Sequence, residues 1–177
     1  IAVIVSDLNL YGDTIERIFP RYEIPVFMDY KRNVLLNSFV EYVRSLLAMV
    51  EKNFTYESVF RFLRSGFSGF EEDEVDLLEN YVRALGIRGY KKWTEKWIRR
   101  TDSMTEENLE VVNRLREQLI RKLDALVEVL KRRHKTIYDV TLALYQFLER
   151  EELQRQVEAM EQQFQESGEL TLAKEYE

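Results

Sequence analysis

From residue 34 onward the apolar positions of this chain fall at three- and four-residue steps, the spacing of helices that bury one face. Leu36, Phe39, Val40, Val43, Leu47 and Val50 nearly fill one side of a first long helix. Thr55 then stands where an N-cap belongs, and Val59, Phe60, Phe62 and Leu63 supply the inner side of a shorter helix. Gly66 and Gly69 interrupt the chain within "RSGFSGF". Glu71, Glu72, Asp73, Glu74 and Asp76 open the next helix, where negative charge complements the helix dipole, so they are read as a capping turn and not as a metal site. That helix runs through Leu77, Leu78, Tyr81, Val82 and Leu85 to Gly86, a fitting C′ residue.

Ser103 and Glu106 predict a capping box for a long helix. Its apolar positions Leu109, Val112, Leu115, Leu119, Leu123, Leu126 and Leu130 step by 3, 3, 4, 4, 3 and 4, a mean of 3.5. That is the coiled-coil period, which serves bundle packing inside one chain or a seam for a partner. At 1.5 Å per residue, some thirty residues make a rod of roughly 45 Å. It closes on the cations Lys131-Arg132-Arg133-His134-Lys135. Thr136 caps a further helix that uses Ile137, Val140, Leu144, Phe147 and Leu148, and another uses Leu153, Val157, Met160 and Phe164. Ser167-Gly168 turns the chain into a last helix over residues 170–176.

The first thirty residues are patterned differently. The apolar run over residues 1–5 reads as a buried strand, residues 13–21 as a short helix with Ile15, Ile18 and Phe19 on one face, and residues 24–28 as a second strand that Pro25 confines to an edge. This makes one β-α-β unit, normally a piece of a larger parallel sheet, and suggests an excised part of a longer protein. The expected class is therefore mainly α, a multi-helix bundle with a small N-terminal β-α-β unit.

Composition changes little in that picture. Of 177 residues 45% are apolar and 33% charged, with two prolines and six glycines, too few for an all-β protein with its many turns. Zero cysteines exclude disulfides and cysteine-ligated zinc or iron–sulfur centres within this chain and suit a cytoplasmic home. No run of about 18 apolar residues offers a membrane span. The net charge of −6 resides in residues 149–177, which carry nine acids against three bases; the rest sums to zero. A basic surface elsewhere is thus compatible with an acidic protein.

One stretch has that character. "GIRGYKKWTEKWIRR", residues 86–100, holds six cations, one acid and both tryptophans of the chain. On a helix over residues 90–98, Tyr90, Trp93 and Trp97 share a stripe. Aromatics at helical spacing are more often core than a platform for stacked bases, so the stripe is expected inside. Arg88, Lys91, Lys92, Lys96, Arg99 and Arg100 are then candidate contacts to nucleic-acid phosphate on the outer side.

Catalytic signatures are missing. There is no Gly-x4-Gly-Lys-Ser/Thr loop, no serine nucleophile elbow and no convincing metal-ligand spacing. His134, the one histidine, stands among cations and has no evident partner for general-base work. No catalytic, cofactor-binding or metal residues are assigned, and the segment alone is expected to have no activity.

The words "IAVIVSDLNLYGDTIERIFPRYEIPVFMDYKRNVLLNSFVEYVRSLLAMVE" resemble the motif IV region of UvrD-like superfamily 1 helicases. "YESVFRFLRSG", "LENYVRALGIRGYKKW" and "SGELTLAKEYE" are similar to the B subunits of AddAB-type ATP-dependent helicase/deoxyribonucleases, which process double-strand breaks for homologous recombination. The resemblance implies that residues 1–31 are a remnant of the RecA-like 2A lobe and residues 32–177 a helical 2B-like insertion, truncated at its C-terminus. It further implies a noncatalytic structural and DNA-channel role, with the A subunit of the helicase–nuclease complex and double-stranded or forked DNA as partners and no membrane. The alternative is a helical module that docks onto a partner subunit without touching DNA. ATP, Mg and an iron–sulfur cluster are expected only in the parent complex.

Two departures stand out. Motor relatives place an aromatic and a phosphate-binding arginine after the motif IV strand, where Val5 and Ser6 stand here, and serine cannot stabilise a transferring phosphoryl group. The relatives' glycine motif, which contacts duplex backbone, corresponds to Gly66-Phe67-Ser68-Gly69-Phe70, whose phenylalanines differ.

Overall fold

The computed structural model describes residues 3–5, 8–28, 37–102, 104–173 and 176. The chain divides into two compact units, Ile1–Asn33 and Val34–Glu177. Among the described residues the protein is mainly helical and contains no strand.

In the first unit, helix α1 spans Leu8–Ile18 and tightens into a 3-10 turn over Phe19–Tyr22. The helix therefore begins five residues before the expected start. Pro20 falls within the first turn of the 3-10 segment, where a missing N–H costs nothing. Glu23 turns left-handed (φ 54°) and Ile24 N–H donates to Phe19 O at 3.0 Å, ending the helical run.

The two expected strands are not formed. Residues 3–5 and 24–28 are irregular, with Ile1 and Ala2 outside the described residues. The β-α-β unit is thereby corrected. A strand exists only when a neighbour takes its backbone N–H and C=O groups, and a lone parallel pair is too small a sheet to hold itself. Ile4 and Phe27 are accordingly 95% and 90% exposed.

The second unit is built around α6, Glu106–Lys131, which at 1.5 Å per residue is about 39 Å long. Helices α2 (Ser38–Glu51), α4 (Glu72–Leu85), α5 (Tyr90–Thr94) and α7 (Ile137–Arg150) pack on it. Helix α3 (Tyr56–Leu63) joins α2 to α4, and α8 (Leu153–Glu166) and α9 (Leu170–Ala173) follow α7. The seam read from the 3.5-residue spacing is the core: Val112, Leu115, Leu119, Leu123 and Leu126 are buried. They meet Tyr42, Leu46, Phe62, Phe67, Leu78 and Phe147 in one cluster. Of the two uses that spacing allows, α6 uses the intramolecular one.

Caps follow local chemistry. Gly86 ends α4 in the left-handed region (φ 61°), with Gly86 N–H on Arg83 O and Ile87 N–H on Val82 O, the paired bonds of a Schellman turn. Thr136 Oγ1 accepts from Asp139 N–H while Asp139 accepts from Thr136 N–H at 2.7 Å. Thr55 precedes α3 as expected, although its hydroxyl bonds Ser58 Oγ at 3.0 Å and not the helix backbone. The α6 cap differs from expectation. Ser103 lies outside the described residues, and Thr105, two residues on, accepts from Asn108 N–H at 3.1 Å. Ile137, expected to pack inward from α7, is 87% exposed; Ala143 and Phe147 are the residues α7 buries.

Glu79 on α4 concentrates charge between α3 and α4. Its carboxylate accepts from the Tyr56 hydroxyl and from Arg64, and Arg83 approaches to 3.7 Å. These donors, Tyr56 foremost, hold its carboxyl below the usual glutamate range despite the opposing pull of burial. A lowered folded-state value stabilises the protein above the unfolded value, and that contribution is lost as pH falls through the folded one. Glu79→Gln should therefore flatten the acid side of the stability curve below about pH 5, near glutamate's reference value of about 4.3. Urea midpoints measured from pH 7 to pH 3 check this; parallel curves for both proteins would refute it.

Candidate nucleic-acid interface

The basic stretch begins where α4 stops. After Gly86, Gly89 takes φ 84° and its N–H donates to Phe54 O at 3.3 Å, which brings α5 back beneath the end of α2. The left-handed Asn53 (φ 53°), a residue type that tolerates this region, places its side-chain oxygen 3.4 Å from Tyr90 N and 3.3 Å from Lys131 Nζ. Tyr90 packs against Phe54 at 4.9 Å between ring centres, and Lys131 Nζ stands 3.9 Å from the Tyr90 centroid. That partial burial pushes the Lys131 pKa below lysine's ordinary value.

The stretch is not one helix over residues 90–98. Helix α5 stops at Thr94, and Glu95 is already extended (ψ 143°). The reason lies in side chains that outcompete the next helical turn. Thr94 Oγ1 donates to Lys91 O at 2.9 Å, Trp97 Nε1 to Lys92 O at 2.8 Å and Arg116 Nη1 to Trp93 O at 2.9 Å. Three consecutive carbonyls that a helix end leaves open are thus satisfied. Asn113 then holds the extended backbone as a neighbouring strand would: its Oδ1 accepts from Trp97 N–H at 2.9 Å and its Nδ2 donates to Trp97 O at 2.8 Å.

The two tryptophans are nevertheless inside as expected, Trp97 from the extended segment and not from a helical stripe. Trp93 and Trp97 are both buried, 5.2 Å apart edge to face, and Trp97 stacks on Tyr81 at 5.1 Å. Stacking of free bases on these rings is excluded by their burial.

Arg88, Lys91, Lys92, Lys96, Arg99 and Arg100 are all exposed. Lys92 pairs with Glu95 at 2.9 Å. The other members of the set have no carboxylate within ion-pair distance among the described residues. Several exposed arginines elsewhere in this unit, such as Arg61 with Glu41 and Arg121 with Glu117, are by contrast neutralised. The stretch is thus a run of unpaired positive charge on a backbone clamped from beneath.

Sequence reasoning missed that clamp. Arg116 is buried, reaches Asn113 Oδ1 at 3.3 Å and lies 5.9 Å from the Trp97 ring, while burial pushes its pKa below the usual arginine value. Its position carried a signal: 116 is four on from Val112 and three before Leu119, within the inner stripe of α6.

The glycine motif is anchored to the core through its middle, while Gly66 and Gly69 themselves are exposed. Phe67 and Ser68 are buried, Ser68 Oγ donates to Leu63 O at 2.7 Å, and Lys122, paired with Glu151 at 2.8 Å, donates to Ser68 O. The acid cluster caps α4, with Glu74 accepting from Glu71 N–H at 3.3 Å and reaching Arg114 at 3.6 Å. No group of three or more His, Cys, Asp or Glu residues is arranged to hold a metal among the described residues. No helix among them is long and apolar enough to cross a membrane. Ser6 lies outside the described residues.

No protein-family model matches the chain. Curated relatives do, among them three B subunits of ATP-dependent helicase/deoxyribonucleases. The chain is 37% identical, over 100% of its length, to the one from Lachnoclostridium phytofermentans, and 37% identical over 99% of its length to those from Clostridium acetobutylicum and Caldanaerobacter subterraneus. It spans about 16% of the length of each. The whole chain is thus homologous to one segment of these proteins, as its sequence words suggested.

Proposed function

We propose that this chain is a noncatalytic structural and DNA-channel segment of the B subunit of a helicase–nuclease, working beside the A subunit in the repair of double-strand breaks by homologous recombination. The parent protein would be the ATP-dependent helicase and deoxyribonuclease, with ATP, Mg and any iron–sulfur cluster bound outside this segment. In this reading the second unit is the 2B-like insertion, and the first belongs to the 2A lobe, whose sheet would supply the neighbours that residues 3–5 and 24–28 lack.

The observation that carries the reading is the unpaired charge of Arg88, Lys91, Lys96, Arg99 and Arg100 on a backbone fixed by Trp93, Trp97 and Asn113. Cations without carboxylate partners on a rigid support suit phosphate, which they bind without reading bases. The clamp limits what ordering them would cost.

Binding of forked or duplex DNA, followed by fluorescence anisotropy, is expected to be weak and to fall steeply with salt, by about 0.9 in the log–log slope per phosphate contact. The double variant Lys91→Gln/Lys96→Gln should lower that slope. Salt-independent binding, or a slope unmoved by the variant, would overturn the proposal. A second reading, docking onto a partner protein, is favoured by α7, where Ile137, Tyr138, Leu142 and Tyr145 leave a large apolar surface exposed. Tight association with the A subunit, without DNA binding, would select it.

A further inference from the structure

We infer that the phosphate-binding surface does not end at the 88–100 stretch: it continues across Tyr90 onto Lys131 and the basic run that follows, forming a single track for a DNA backbone. The inference rests on the DNA-channel reading and extends it to a second sequence region.

Cations at the end of α6 carry no such meaning alone, because a helix C-terminus attracts positive charge on its own account. What matters is where α6 ends. Lys131 Nζ is held over the Tyr90 ring at 3.9 Å and by Asn53 Oδ1 at 3.3 Å, so it stands next to Gly89, Tyr90 and Lys91, some forty residues earlier in the chain. From there the stretch runs back along α6. Tyr90 meets Asp124 and Lys131, whereas Trp97 meets Asn113. The eighteen-residue interval from Asn113 to Lys131 measures about 27 Å at 1.5 Å per residue. That is the length of about eight base pairs at 3.4 Å each.

Most of the positive charge along this line has no carboxylate partner among the described residues. Lys131, Arg133 and Lys135 are exposed and, like Lys91 and Lys96, have no carboxylate partner among the described residues. Arg132 alone of the run is neutralised, by Glu128 at 2.9 Å. Lys135 Nζ donates to Arg132 O at 3.2 Å, which leaves its charge available. The acid beside Tyr90, Asp124, is bonded to the Tyr90 hydroxyl at 3.4 Å and makes no ion pair among the described residues. Both ends of the track present ammonium and guanidinium groups, donors that backbone phosphate oxygens accept.

The test compares the salt dependence of DNA binding for the chain, Lys91→Gln/Lys96→Gln, Lys131→Gln/Arg133→Gln and Lys131→Arg, each with its urea midpoint. If the track is continuous, both double variants lower the log–log salt slope, by about 0.9 per lost contact on duplex and about 0.7 on single strands, and Lys131→Arg keeps it. The two slopes distinguish the strand form bound. A slope unchanged by Lys131→Gln/Arg133→Gln while Lys91→Gln/Lys96→Gln lowers it would overturn the track and leave the channel reading standing. No binding at low salt, or no response to either pair, would remove both.

Discussion

Asn113→Ala is expected to destabilise the second unit by about 2–4 kcal/mol, although it removes no apolar core side chain. Asn113 uses both ends of its amide on the Trp97 backbone and shares Oδ1 with Arg116. Alanine leaves the Trp97 N–H and C=O without those partners in a part-buried setting. A buried polar group stripped of its partner costs about 1–3 kcal/mol, more than the net worth of an ordinary hydrogen bond. Arg116, buried and with no carboxylate among the described residues, also loses one of its acceptors. Urea unfolding monitored by tryptophan fluorescence measures the effect. The extended segment after Thr94 should loosen before the global transition, exposing Trp97, which packs in the native protein on Tyr81 and Trp93. A loss below about 0.5 kcal/mol, the range of ordinary surface changes, would mean the clamp does not hold the basic stretch.

The same residues show where reading the sequence stopped. Period and burial were largely legible: the α6 seam, the inward Trp93, the Gly86 cap and the exposure of the six cations follow from spacing and side-chain chemistry, whereas Trp97 is buried as expected but from an extended segment and not from a helical stripe. The length of α5 was not. Nothing in "YKKWTEKWI" signals a break at Thr94, because the groups that end the helix include Asn113 and Arg116, some twenty residues away. Helical periodicity describes which face is apolar; it cannot say whether a distant amide will claim the backbone. The absent strands fail in the complementary way. Residues 3–5 and 24–28 have strand-like composition, but a strand is a property of a sheet. Among candidate contacts, the cations were readable one by one, whereas the meeting of Lys131 with Tyr90 depends on the packing of α5 along α6.

The larger effect is expected for Leu119→Ala, about 2–5 kcal/mol, from lost transfer energy and the cavity left behind. Leu119 is fully buried midway along α6, between Leu115 and Leu123 in the seam that meets the other helices of the core. With total stabilities of about 5–15 kcal/mol for a domain, one such loss is a large fraction of what holds the fold. The same truncation on α7, Leu142→Ala at a residue 39% exposed, should change stability by about 0.5 kcal/mol or less. The pair separates two uses of apolar surface in one chain. If the 3.5-residue seam served a partner, Leu119→Ala would leave unfolding of the isolated chain untouched and weaken only an assembly. Because it is core, the isolated chain should unfold at clearly lower urea, and any loss of DNA binding should follow the fraction unfolded. Leu142→Ala should do the reverse where a partner covers α7, leaving the chain stable and weakening the association.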